Sequence, residues 1–231
     1  MRAVIFAAIL TSTTVTTAGP CPIRPLEPQA MTVDGAEIPP DGGVLVSLAE
    51  TLEWNKPSQP DLTKTSWKFV DGTKSAAPVI KLLAPGLAMF APPAGTAAIK
   101  LDDGKRTLVT AKRVATRPLL AAPSPKSVTH RVAVVRQGTS SMLNRSSVML
   151  DPGARPDGAV ALIVFIAGKP ASWVTAFGPP GPLEVFHTPG RCDTPIPGFV
   201  EPKVGSKITV AWVDAAGRIG AHSKELAVIK G

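Results

Sequence analysis

The chain has 231 residues, a formal net charge of +8, 44% hydrophobic residues, 25 prolines and 20 glycines. That apolar content is too high for a disordered chain, and proline spread this densely is hostile to long helices. Short strands joined by turns are the natural architecture.

Met1-Arg2 gives a charged start, Ala3 to Leu10 is an unbroken apolar run, and small or hydroxylated residues follow up to Ala18. This is the pattern of an export signal cut after Ala18. The run is far shorter than the roughly 20 residues a spanning helix needs, and no later segment qualifies. The mature chain is therefore expected outside the cytoplasm, in the periplasm or beyond it. In an oxidising compartment the only two cysteines, Cys21 and Cys192, are expected to form one bridge. A lipid anchor on Cys21 would need a small residue before it, and Pro20 stands there. Closing so long a loop would stabilise by about 4–5 kcal/mol in the chain-entropy picture. It would also fix an interdomain angle that a small interface leaves loose.

Strand signals then run in short alternating stretches. They cover Val44 to Leu48, Trp67 to Val70, Val79 to Leu83, Leu87 to Ala91, Ala97 to Leu101 and Thr107 to Val114. Thr116 to Lys126 is proline-rich, shows no alternation and reads as an extended spacer. Beyond it come His130 to Val135, Ser147 to Leu150, Val160 to Ile166, Leu183 to Phe186, Ile208 to Val213 and Lys224 to Ile229. Val160 to Ile166 is apolar on both faces, short and β-branched, which predicts a central strand rather than a helix.

The two halves share features in one order. Pro40-Asp41-Gly42 and Pro156-Asp157-Gly158 each open an apolar strand, and a tryptophan follows each, at Trp54 and Trp173. Late in each half an aspartate-glycine turn appears, at Asp102 to Gly104 and at Asp214 to Gly217, before a final strand. On these residues the chain resembles tandem immunoglobulin-like or fibronectin-III-like modules of exported bacterial envelope proteins. The resemblance implies an all-β fold, two tandem antiparallel Ig-like β-sandwiches after the signal peptide. The expected boundaries are 1–18 for the signal, 19–27 for an N-terminal segment, 28–117 for the first sandwich, 118–125 for the linker and 126–231 for the second. Neither half has its own cysteine pair, unlike antibody domains, and no binding site transfers with such a fold. A tryptophan after a central sandwich strand is expected to fill the core rather than serve as an exposed platform for sugars.

Charge is unevenly spread. From Lys100 to Arg136 there are nine basic residues against Asp102 and Asp103. Lys100, Lys105, Arg106, Lys112, Arg113, Arg117, Arg131 and Arg136 are the candidate contacts for an acidic partner, an envelope polysaccharide or a protein. The competing reading of the same residues is solvated strand faces that block edge aggregation. Nucleic acid is not expected, because no aromatics are interleaved for base stacking.

Catalytic patterns are missing. No serine sits in a nucleophile elbow, Asp102-Asp103 are neighbours in a turn rather than a facing pair, and no phosphate loop or dinucleotide fingerprint occurs. The expectation is an exported, non-enzymatic binding or structural module without a cofactor. The alternative is a periplasmic copper or zinc protein using His187, Cys192 and Asp193, whose ligand types suit those metals.

Overall fold

Residue-by-residue alternation decides this architecture, because several strands are apolar on both sides. The computed structural model describes residues 25–51, 60–95, 98–137, 141–188 and 194–231. The first half contains β1 (Leu26–Ala30), β2 (Ala36–Ile38), β3 (Val44–Glu50), β4 (Lys68–Asp71), β5 (Lys74–Ala76), β6 (Val79–Ala84), β7 (Leu87–Ala91), β8 (Ala98–Asp102) and β9 (Thr107–Arg113). The second contains β10 (Ser127–Gln137), β11 (Ser141–Asp151), β12 (Ala159–Ile166), β13 (Lys169–Thr175), β14 (Leu183–His187), β15 (Lys207–Asp214), β16 (Leu226–Ala227) and β17 (Ile229–Lys230). Among the described residues the helical structure is a single 3₁₀ turn, Leu62–Lys64, capped by the Asp61 carboxylate on the Thr63 N–H.

Strands β1 to β9 form two sheets, in the orders β1-β3-β7-β6 and β2-β9-β8-β4-β5. Strands β10 to β17 form two more, β14-β11-β10-β17 and β13-β12-β15-β16. Pairing is antiparallel except for β2 with β9 and β10 with β17. These are immunoglobulin-like sandwiches, and the expected all-β class holds. Val44, Val46, Phe90, Ile99 and Leu101 fill the first core. Val128, Val148, Leu162, Val164 and Trp212 fill the second.

A third core joins the two sandwiches. Leu45, Leu87 and Met89 point away from the first core and meet Ala161, Ile163, Phe165, Ala211 and Val213, which point away from the second. The molecule is thus four sheets deep, and the central strands of its two middle sheets are buried on both faces. This explains why Val160 to Ile166 is apolar throughout. Leu45, Leu87, Ile163 and Val213 are fully buried, and each such side chain contributes roughly 1.5–3 kcal/mol when taken from water. The interface between the sandwiches is a core in its own right.

Polar contacts lock the same seam. The Thr32 hydroxyl donates to the Ala215 carbonyl at 2.7 Å and accepts the Leu45 N–H at 2.7 Å. The Gly43 N–H donates to the Ala216 carbonyl at 2.8 Å. Gly43 must be glycine, because a Cβ there would sit 2.3 Å from the Phe90 carbonyl oxygen. Arg218, with a side chain 7% exposed, pairs with Asp214 at 2.8 Å. It also donates to the Arg117 and Pro118 carbonyls at 2.8 and 3.3 Å. The proline-rich connection is therefore gripped from the second sandwich.

The repeat needs one correction. The turn at Gly42 bonds back to the Pro39 carbonyl and that at Ala159 to the Pro156 carbonyl, so both Pro-Asp-Gly segments do turn the chain. Yet β3 lies between β1 and β7, in the place of the immunoglobulin B strand, whereas β12 lies between β13 and β15, in the place of the C strand. The two strand openings are not structural equivalents. Pro-Asp-Gly is a good turn before any strand.

Candidate functional site

The eight basic residues are divided among β8, β9, the turn between them, the connection and β10. Lys100 projects from β8 and Lys112 from β9, on the outer face of the first sandwich, while Ile99, Leu101 and Ala111 face inward. Lys105 and Arg106 occupy the β8–β9 turn, where Arg106 approaches Asp103 at 3.9 Å. Arg113 ends β9 and donates to the Pro39 carbonyl at 2.9 Å. Arg117 lies in the connection and pairs with Glu37, which also holds Lys112 at 3.0 Å. Arg131 and Arg136 belong to β10 of the second sandwich. Glu37 thus brings Lys112 and Arg117 together on the first sandwich.

Where the sandwiches meet, a cleft of about 660 Å³ opens. Its floor is apolar, from Leu26, Leu48, Trp173, Ile196 and Phe199, and its rim carries Glu50, Arg145, Glu184 and His187. The rim charges are joined. Arg145 reaches Glu184 at 3.3 Å, His187 Nδ1 stands 3.7 Å from the same carboxylate, and Glu50 accepts the Thr194 N–H at 3.2 Å. His187 thus sits at the end of β14 within this polar rim. Its expected metal partners, Cys192 and Asp193, lie outside the described residues, as does Cys21. Among the described residues no group of three or more His, Cys, Asp or Glu is placed to hold a metal.

Trp173 is a core residue, as its place after an apolar strand predicts. It is 8% exposed, packs in the third core and donates its indole N–H to the Pro85 carbonyl of the first sandwich at 2.9 Å. Trp54 lies outside the described residues. The glycine-proline segment between β13 and β14 raises Phe177, 61% exposed, into solvent.

Sequence reasoning missed one cluster. Glu201 accepts a hydrogen bond from the Ser146 hydroxyl of β11 and contacts His130 Nε2 of β10 at 2.9 Å. The Ser146 hydroxyl, aided by His130, holds the Glu201 carboxyl below its ordinary range against the opposing effect of burial. The carboxylate stands between serine and imidazole, the reverse of a relay in which the imidazole takes the nucleophile's proton. Its role is to pin the 195–205 loop to the sheet. The three residues are 55 and 71 positions apart in the chain, so no local signal announces them.

No protein-family model matches the chain, and no curated protein does. Among solved structures it is similar to the BSP domain of a biofilm-associated protein, at 14% identity over 89% of this chain and 29% of that one, with a TM-score of 0.25. It is also similar to the fibronectin(III)-like modules of Clostridium thermocellum CbhA, at 12% identity over 88% of this chain and 95% of that one, again with a TM-score of 0.25. The chain spans less than a third of the length of the first structure. The fold assignment rests on the strand pairing itself.

Proposed function

We propose that the chain is an exported, non-enzymatic binding or structural module of the cell envelope, whose partner is an acidic polysaccharide or protein. The observation that carries this reading is the third core: it makes two sandwiches into one rigid body, leaving loops, edges and outer faces for partners. A rigid spacing between such surfaces suits a spacer or adhesive unit, because ordering costs on binding are small when the surfaces are held beforehand. The charge supports an acidic partner. The chain carries +8 overall, and Lys100, Lys105 and Arg131 are exposed.

The test is titration of the mature protein with polygalacturonate, a polyanionic sugar, at rising salt. Affinity that falls steeply between about 50 and 300 mM salt is expected for an electrostatic contact. Binding that ignores salt, or a neutral glucan that binds as well, would remove the acidic partner from the proposal.

A further inference from the structure

Among the described residues one edge of strand β10 is paired only at its start. Strand β11 covers its other side over the full length, from Ser127 opposite Asp151 to Gln137 opposite Ser141. On the open side β17 pairs only with Thr129 and His130, and the Gly231 N–H donates to the His130 carbonyl at 2.9 Å. Alternate residues of a strand direct both their N–H and C=O to the same side. The His130 carbonyl faces β17, so the backbone groups of Val132, Val134 and Arg136 face the open side, where no described strand pairs with them. Val132 and Val134 are 65% and 61% exposed. A long edge whose backbone groups no described strand takes, beside exposed β-branched residues, is a template for an added strand.

Charge selects what is added. From Arg131 to Arg145 the sequence holds three arginines and no aspartate or glutamate. A second copy of the same strand would bring like charge to the exposed Arg131, whereas an acidic strand is complementary. We propose that the edge of β10 from Val132 to Arg136 takes up an extended acidic segment of a partner protein as an additional β-strand, continuing the row that β17 begins. This rests on the reading of the chain as a module for an acidic partner, and narrows that partner to a protein. Backbone hydrogen bonds would provide the attachment and the arginines the selection.

The experiment uses the full mature chain and two probes, an acetylated alternating Glu-Val octapeptide and polygalacturonate, with an alternating Lys-Val octapeptide as control. Two variants separate the contributions. Val134→Pro removes an outward N–H and leaves the bonds to β11, a change that edge strands tolerate. Arg131→Glu reverses a charge and leaves the backbone intact. The proposal expects the Glu-Val peptide to bind, the Lys-Val peptide not to bind, and each variant to weaken the Glu-Val complex by about tenfold or more. Peptide binding that is unchanged in Val134→Pro overturns it, as does polygalacturonate binding without peptide binding, which leaves the broader function standing. A concentration-dependent dimer lost in Val134→Pro assigns the edge to a second copy and also overturns it. Failure of both acidic probes overturns the broader function as well.

Discussion

The Arg218 guanidinium lies 3.5 Å from the Asp41 carboxylate, 177 positions away in the chain, while it buries the Asp214 carboxylate at 2.8 Å. One side chain therefore touches a turn of the first sandwich, the connection and a hairpin of the second. The two ion pairs differ in worth. Asp214 has a side chain only 12% exposed, whereas that of Asp41 is 54% exposed. Arg218→Met leaves Asp214 as a buried charge without its cation and is expected to cost about 3–5 kcal/mol. Asp41→Ala is expected to cost less than about 1 kcal/mol. Urea midpoints of the two variants decide this, and equal losses would contradict the assignment.

The third core makes the sandwiches one cooperative unit. Calorimetry of the mature chain is expected to show a single transition. Ile163→Ala, which empties a fully buried site between the sandwiches, is expected to lower stability by about 2–5 kcal/mol without splitting that transition. Two separated melting events in the wild-type chain would show that the seam is weaker than its burial implies.

Trp173→Phe removes the indole N–H from the Pro85 carbonyl and leaves that oxygen short of a donor at the seam. A loss of about 1–3 kcal/mol is expected. Tryptophan emission should also lose a blue component, because the indole is almost wholly buried. An unchanged emission maximum would place the ring in water.

Glu201 links stability to pH. Its carboxyl is held below the ordinary range in the fold, so the contribution is complete above the unfolded carboxyl's pKa and disappears as pH falls through the lowered folded value. Glu201→Gln is expected to cost about 1–2 kcal/mol at neutral pH, with the gap to wild type closing under acid. Unfolding curves at pH 7, 5 and 3 measure it. A gap that stays constant over that range would separate the stability loss from the ionised form.

If the chain is exported as proposed, Cys21 and Cys192 are expected to be bridged. Its denatured mass should fall two hydrogens below that of the thiol form cut after Ala18, and regain them on reduction. A diacyl or triacyl addition would make Cys21 an anchor instead.

Much of the fold is written in local alternation. Val44 to Leu48, Leu87 to Ala91 and Ile208 to Val213 announce themselves because buried and exposed positions, or two apolar faces, follow the period of the strand. The strands without an alternating signal are the very short β2 and β5 and two interrupted by proline. Pro28 interrupts β1 and Pro170 interrupts β13, yet both strands lie at sheet edges, where a missing N–H costs no ladder bond. The seam was legible only as an oddity, the two apolar faces of Val160 to Ile166, because nothing in a single strand says which surface covers its second face. The candidate site was less legible still. The basic residues stand close in sequence, and the elements that carry them are β8, β9, their turn, the connection and β10. Ser146 and His130 lie on adjacent strands and Glu201 reaches them from a distant loop, so no local motif joins the three.

Burial of β12 on both faces also governs its register. A half-exposed strand that slips by one residue turns its apolar set toward water, and polarity alone forbids the slip. In β12 a slip would exchange Leu162 and Val164 with Ala161 and Ile163, all apolar, so solvent offers little discrimination. Side-chain size must supply it: Ala161 and Ala211 are the small residues that let the two middle sheets approach. The strand also carries irregularities against both neighbours, between Ala159 and Ala161 and between Val164 and Phe165. Its alignment is therefore set by shape, and enlarging Ala161 threatens a misaligned sheet rather than a merely crowded one.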